Sequence, residues 1–316
     1  MSDEPRPDEG RWHQHGLSTG LIFGMTRWGV LHIPKALSYA IGHVGTWLAF
    51  RLMKAETAAL IDNYRVMWPD ASEAELRALA LRAYRTYACE VIDFIRSTSR
   101  TPEELWTWMS PLNDFDKVGR PGDNGFLFVT AHIGNIELGA VVLRALYNYR
   151  LAVVLLPEHD PAVHRHRLEL REQMGVETIE VRQDAETALR IRRFLSGGGT
   201  VAMVADRPLG RDRVEVTFFG RPTFFLRSPA IMGYLSGAPM IPSFIVRQPD
   251  GRYAGLALDP IHVDRTGDRE TAVQAAMQAF ATALEGVVRQ YPHLWYNFFP
   301  YWSTTDDPDA EPPRQG

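Results

Sequence analysis

Three side chains in this chain of 316 residues have the types and settings needed for proton transfer. They are His132 and Glu137 in "FVTAHIGNIELGAVVLRALY" and Asp206 in "TVAMVADRPLG". A core strand that continues into a core helix needs no histidine, glycine, asparagine or glutamate at the junction. His132 falls where the apolar run stops, so its ring can emerge at an edge of a sheet. Gly134 and Asn135 follow, and both residue types suit tight turns and helix starts. Glu137 lies in the first turn of the helix that comes next. Two side chains five residues apart do not share a face of one continuous helix, but they can meet when the first is on the loop and the second is on the helix it feeds. A carboxylate bonded to one ring nitrogen would fix the tautomer and make the other nitrogen a better base. The alternative is an ordinary strand-to-helix corner in which Glu137 complements the helix dipole. Asp206 ends a second apolar run and is followed by Arg207 and Pro208. It is either a second acid beside the histidine or a turn residue that closes a strand. Arg207, Arg211, Arg213, Arg221 and Arg227 then gather against Asp212 and Glu215. Such a patch can hold phosphate groups or a pantetheine phosphate arm, or simply be a solvated loop.

The elements that must position these groups alternate. "FLFVT", "LAVVLL", "ETIEV", "TVAMVA" and "MIPSFIV" are short runs rich in β-formers. Helical candidates lie between them at roughly 135–148, 160–174, 184–196 and 226–236. This alternation predicts an α/β fold with a mixed, largely parallel central sheet flanked by helices. In such sheets ligands bind beyond the carboxyl ends of the strands, which is where His132 and Asp206 fall. The N-terminal third reads as helical. "KALSYAIGHVGTWLAFRLMKAE" is apolar on most faces, and Ser72–Glu75 is a capping signature before a long helix. The expected organisation is a single domain over 17–304 with membrane-associating helices at about 17–53 and disordered ends at 1–16 and 305–316.

Composition narrows the function classes. Hydrophobic residues make up 45% and charged residues 23%, with a net charge of −4, which gives no case for nucleic acid as a partner. Only Lys35, Lys54 and Lys117 are lysines, so nearly all positive charge is arginine. Cys89 is alone, which excludes a disulfide framework and permits a reducing cytoplasm. The first residues, "MSDEPRPDEG", lack the pattern of a cleavable signal peptide. Residues 12–26, 36–50 and 228–246 carry no Asp, Glu, Lys or Arg. The first two are too short to span a bilayer, and the prolines and glycines of the third make it a helix, a turn and a buried strand. Residues 17–53, bounded by Arg27, Lys35, Arg51 and Lys54, fit either an interfacial segment on a membrane or a helix packed on the core. No G-x-S-x-G elbow, P-loop or G-x-G-x-x-G follows a strand. His164 and His166 are two apart and would point apart on a helix, against metal ligation.

With these residues assembled, the chain resembles the late acyltransferases of lipid A biosynthesis, within the broader lysophospholipid acyltransferase superfamily. "AHIGNIE" looks like their H-x4-D/E motif, "LREQMGVETIEV" their arginine-x3-glycine segment, and "GGGTVAMVADRPLG" their strand ending in aspartate. "VTFFGRPTFFLRSPAIMGYLSGAPMIPSFIVR", "NYRVMWPDAS" and "YPHLWYNFFPYW" match further blocks, so the likeness runs from about residue 25 to 302. The motif carries Ile136 where many members have tryptophan. The C-terminal block looks closer to members associated with other lipids, such as aryl-polyene lipids.

The resemblance implies transfer of an acyl chain from a thioester to a hydroxyl of a membrane lipid, without a cofactor or metal. Acyl carrier protein or acyl-coenzyme A would be the donor. His132 would be the general base, Glu137 its orienting acid, and Asp206 a further acid beside it. Backbone N–H groups near Gly134 and Asn135 would stabilise the oxyanion, and Arg171 would bind substrate. Arg207, Gly220 and Arg221 would lie on the substrate side. The implied location is the cytoplasmic face of the bacterial inner membrane, peripheral or monotopic. Two other readings use the same residues: a catalytically silent lipid-binding protein, and a hydrolase in which water replaces the acceptor.

Overall fold

The structure is a computed structural model that describes residues 20–118, 125–156, 161–181 and 185–302. The ends expected to be disordered lie outside the described residues. Among the described residues six helices come first: α1 (Gly20–His32), α2 (Lys35–Leu52), α3 (Lys54–Met67), α4 (Glu73–Ser97), α5 (Pro102–Trp108) and α6 (Phe115–Val118). Strands and helices then alternate as β1 (Phe126–Thr130), α7 (Ile136–Ala145), β2 (Leu151–Leu155), α8 (Pro161–Gln173), β3 (Glu177–Glu180), α9 (Ala185–Ser196) and β4 (Thr200–Val204). A hairpin of β5 (Val214–Phe218) and β6 (Arg221–Phe225) follows, then α10 (Ser228–Ser236), β7 (Met240–Arg247), β8 (Tyr253–Ala257) and α11 (Arg269–Gln290).

The sheet has six strands in the order β3-β2-β4-β1-β7-β8, parallel throughout except for the antiparallel edge strand β8. The fold is therefore the expected mixed α/β fold with a largely parallel sheet and a helical N-terminal segment. Successive side chains of a strand point to opposite faces, and here both faces are covered. Leu127 and Val129 of β1, with Val201 and Met203 of β4, join one large apolar cluster with Phe280 and Leu284 of α11. Phe128 of β1 and Ile241 and Ile245 of β7 join a second cluster with Leu138, Val141 and Val142 of α7. This double burial is why the strands read as unbroken apolar runs in the sequence.

The helical third departs from a simple reading in one place. The apolar run from Lys35 is not one helix: it breaks at Met53, whose backbone (φ −85°, ψ 68°) leaves the helical region between α2 and α3. The Ser72–Glu75 signature is realised as a full capping box, the Ser72 hydroxyl accepting from Glu75 N–H and the Glu75 carboxylate accepting from Ser72 N–H.

Candidate active site

His132 and Asp206 meet because of strand order. β1 and β4 are adjacent and parallel with Thr130 opposite Val204, and each of the two residues lies two positions past that pair. Ala205 N–H donates to Thr130 C=O at 2.9 Å, which carries the register one step beyond the strands. The His132 Nδ1 then sits 2.7 Å from Asp206 Oδ1, and His132 N–H donates to the same oxygen at 3.0 Å. A carboxylate at Nδ1 requires the Nδ1–H tautomer, which leaves the Nε2 lone pair to accept a proton. The His132 side chain is 21% exposed and Asp206 is fully buried, so the imidazole is reachable and its partner is not.

Electrostatics keep the pair in the form that does this. Burial pushes the Asp206 carboxyl up, but the adjacent imidazole and then the Arg207 guanidinium outweigh it, holding it at about 2. Trp295 Nε1–H adds a donor to Oδ2 at 3.2 Å. Burial and the positive charge of Arg207 hold the His132 imidazole below its ordinary 6.5, against the opposite pull of Asp206. At neutral pH the ring is therefore neutral and able to accept.

The corner between His132 and α7 is built from backbone. Gly134 has φ +66°, and a Cβ there would stand 2.0 Å from the Ile245 carbonyl oxygen, so only glycine fits. Asn135 caps α7, its Oδ1 accepting from Leu138 N–H at 3.1 Å while its Nδ2 donates to the Glu90 carbonyl at 2.9 Å. Gly134 N–H donates to Leu294 C=O and Asn135 N–H to Ile245 C=O, both at 2.9 Å. The expectation that these two N–H groups face an oxyanion is thereby corrected: both are already bonded to carbonyls. Their roles here are to shape and pin the turn.

The other candidate residues separate into two places. Glu137, in the first turn of α7, forms an ion pair with buried Arg171 of α8 through both carboxylate oxygens. The carboxylate on the histidine ring is that of Asp206. Arg207 lies beside the dyad, its Nε donating to Asn297 Oδ1 at 2.9 Å and Nη2 to Tyr296 C=O at 2.8 Å. Gly220 and Arg221 are exposed at the turn of the β5–β6 hairpin. Phe219 and Gly220 hold φ +52° and +71° there, as a two-residue turn of the left-handed type requires. The hairpin reaches the dyad indirectly, through Phe218, whose ring lies 5.8 Å from that of Trp295.

The sequence marked the segment Leu294–Asn297 only as part of a block resembling the family and gave it no place in the site. It forms a short antiparallel bridge with the corner, with Ile133 opposite Trp295 and Tyr296 N–H donating to His132 C=O at 2.8 Å. The available signal was Asn297, a polar residue inside an otherwise aromatic run. Among the described residues no group of three His, Cys, Asp or Glu side chains could hold a metal ion.

The sequence model of the family described as bacterial lipid A biosynthesis acyltransferase matches residues 12–304. A phosphatidylinositol mannoside acyltransferase of Mycolicibacterium smegmatis is 27% identical over 229 residues, covering 66% of this chain and 72% of that protein. The phosphatidylinositol mannoside acyltransferase of Mycobacterium tuberculosis H37Rv is 26% identical over 238 residues, covering 74% and 72%.

Proposed function

Because this chain belongs to the bacterial lipid A biosynthesis acyltransferase family, we propose that it moves a fatty acyl chain from a thioester donor to a hydroxyl of a membrane lipid, with His132 as general base. One observation carries this reading: a neutral, partly exposed imidazole whose Nδ1 is held by the fully buried carboxylate of Asp206. Nε2 takes the proton of the acceptor hydroxyl as its oxygen attacks the thioester carbonyl. When the tetrahedral intermediate collapses, the sulfur leaves and receives that proton back from the imidazolium. Asp206 stabilises the imidazolium in between, and base action of this kind contributes about 10²–10⁴-fold. No covalent enzyme intermediate is needed. In this scheme the orienting role belongs to Asp206, while Glu137 holds Arg171 at the mouth of α7, where the guanidinium can bind substrate. The relatives' names concern mannosylated phosphoinositides and the family's concerns lipid A. Both are sugar-bearing lipids, so the acceptor we propose is a hydroxyl of a membrane glycolipid. The donor is acyl carrier protein or acyl-coenzyme A, whose phosphopantetheine suits the arginines around Arg211 and Arg221.

A lipid acceptor requires contact with a bilayer, and α1 and α2 are suited to it. Leu37, Ile41, Val44, Leu48 and Leu52 form one exposed apolar stripe along α2, and Met25 and Trp28 of α1 are exposed with them. The opposite side of α2 packs on α4, with Ser38 buried and Gly42 closely approached by Ile92. No described helix is long and apolar enough to cross a membrane. We propose that these helices lie in the plane of the membrane surface, and the family resemblance is what supports the cytoplasmic face of the inner membrane.

The test is mass spectrometry of lipids after incubating purified protein with acyl carrier protein and coenzyme A thioesters and a bacterial lipid extract, alongside His132→Ala. A new acylated lipid formed only by the wild type is expected. Donor cleavage without a lipid product would instead establish a hydrolase, and equal product from the alanine variant would remove His132 as the base.

A further inference from the structure

Glu90 is a carboxyl group buried at 3% exposure in the middle of α4, with Oε1 in contact with no hydrogen-bond donor among the described residues. An unpaired polar atom inside a core is costly, so the presence of this one calls for an explanation. Its one side-chain hydrogen bond among the described residues is to Tyr296, whose OH donates to Oε2 at 2.7 Å. Tyr296 is the middle residue of the segment that touches each charged member of the site. On one side of it Trp295 donates to Asp206 Oδ2, and on the other Asn297 Oδ1 accepts from Arg207 Nε. Its own N–H donates to the His132 carbonyl and its own carbonyl accepts from Arg207. The Glu90 backbone carbonyl meanwhile accepts from Asn135 Nδ2, on the far side of the histidine turn. Glu90 therefore holds both strands of the small ladder on which His132 sits.

We infer that Glu90 is a positioning residue for the His132–Asp206–Arg207 constellation, acting through its hydrogen bond to Tyr296. The inference rests on the acyl-transfer reading of His132. Without the Glu90 acceptor the Tyr296 phenol is a buried donor with no partner, and residues 295–297 shift to relieve it. The base, its carboxylate and the guanidinium then lose their common alignment, while the donor-binding surface is left alone.

The experiment compares Glu90→Leu, Glu90→Gln, Tyr296→Phe and the Glu90→Leu/Tyr296→Phe pair with wild type and His132→Ala. Two readouts are used: steady-state kinetics, and the low-field proton resonance of the His132–Asp206 hydrogen bond, identified by its absence from His132→Ala. Glu90→Leu and Tyr296→Phe should each lower kcat by about 10-fold or more, with donor KM unchanged, since small misplacements at a reacting centre carry large rate penalties. The double variant should be no slower than the slower single one, because both delete one interaction. Glu90→Gln keeps an acceptor and should keep both turnover and resonance, whereas Glu90→Leu should displace the resonance. Wild-type kcat and an unmoved resonance in Glu90→Leu would overturn the inference, as would losses that multiply in the double variant. Should Glu90→Leu fail to fold, Tyr296→Phe removes the same bond from the other side and is read in the same way. Should wild type transfer no acyl chain, the reaction assignment fails, and the resonance alone decides whether Glu90 positions the dyad.

Discussion

At His132 the two ring nitrogens have different work: Nδ1 is fixed on Asp206, and Nε2 is left to accept a proton. Asp206→Asn retains the shape of the partner and removes its charge, so it should fold normally and lose about 10²–10⁴ in kcat, measured by steady-state acyl transfer. Glu137→Gln should lose less, because the base and its carboxylate remain. In the proposed role the His132 imidazole must be neutral to act, and its pKa is lowered in the fold. Activity should therefore fall on the acid side only below the ordinary imidazole range, with the limb of kcat/KM against pH lying under 6.5. Glu90 shows the opposite sign. Burial raises its carboxyl from 4.5 to about 8, against the pull of Tyr296 and Arg247 and with Asp93 adding to the rise. Its protonated form is the one the fold favours, so this stabilisation is complete below pH 4.5 and is lost as pH climbs to about 8. Urea unfolding of wild type and Glu90→Gln across that window should show the wild type losing stability relative to the variant.

Elements place these residues through termini rather than interiors. The site is made where β1 and β4 stop, where α7 begins, and where the chain returns at 294–297 after α11. Gly134 makes that geometry possible, since any side chain would enter the Ile245 carbonyl at a positive φ. Gly134→Ala should therefore destabilise the protein by at least about 2 kcal/mol in denaturant titration, more than the backbone strain of the left-handed region alone. The N-cap of α4 is a contrasting case at the surface. Ser72→Ala breaks its capping box and should cost about 1 kcal/mol of stability with kcat unchanged. A loss of turnover in that variant would mean that α4 transmits its position to the site through Glu90 even when only its end is loosened.

Over the whole molecule, the apolar stripe of α2 is the feature that the core does not explain. Ile41 and Val44 are 55% and 61% exposed, although a water-facing helix has no need of them. Ile41→Asp with Leu48→Asp should abolish sedimentation with anionic phospholipid vesicles and leave the thermal midpoint unchanged, because neither side chain is in the core. The helix is also tied inward. Tyr39 of α2 donates to Asp93 of α4, which also accepts from Tyr253 of β8 and pairs with Lys35. Asp93 is wholly buried and bonded to α2 and to β8, so the proposed membrane surface is tied directly to the sheet that carries the site.

Several of these features were already legible in the residues. Apolar runs rich in β-formers marked β1, β2, β4 and β7, because strands buried on both faces leave no polar alternation to confuse them, whereas the edge strand β3 was marked by its β-formers between two glutamates. The polar residues at the ends of β1 and β4 marked His132 and Asp206 as candidates, and the Ser72–Glu75 spacing marked the start of α4. The resemblance carried by "AHIGNIE" and its companion blocks pointed to the family. Pairing was decided only in three dimensions. Spacing favoured Glu137 as the partner of His132, since five residues are close along the chain. The sheet order instead brings Asp206, 74 residues away, onto the ring, and α8 supplies Arg171 for Glu137. Likewise Glu90 and Tyr296 are 206 residues apart, and nothing local in either sequence announces the bond. Local physics selects helices, strands and turns, whereas the partner of a buried charge depends on which strands become neighbours, a choice made by the packing of the whole chain.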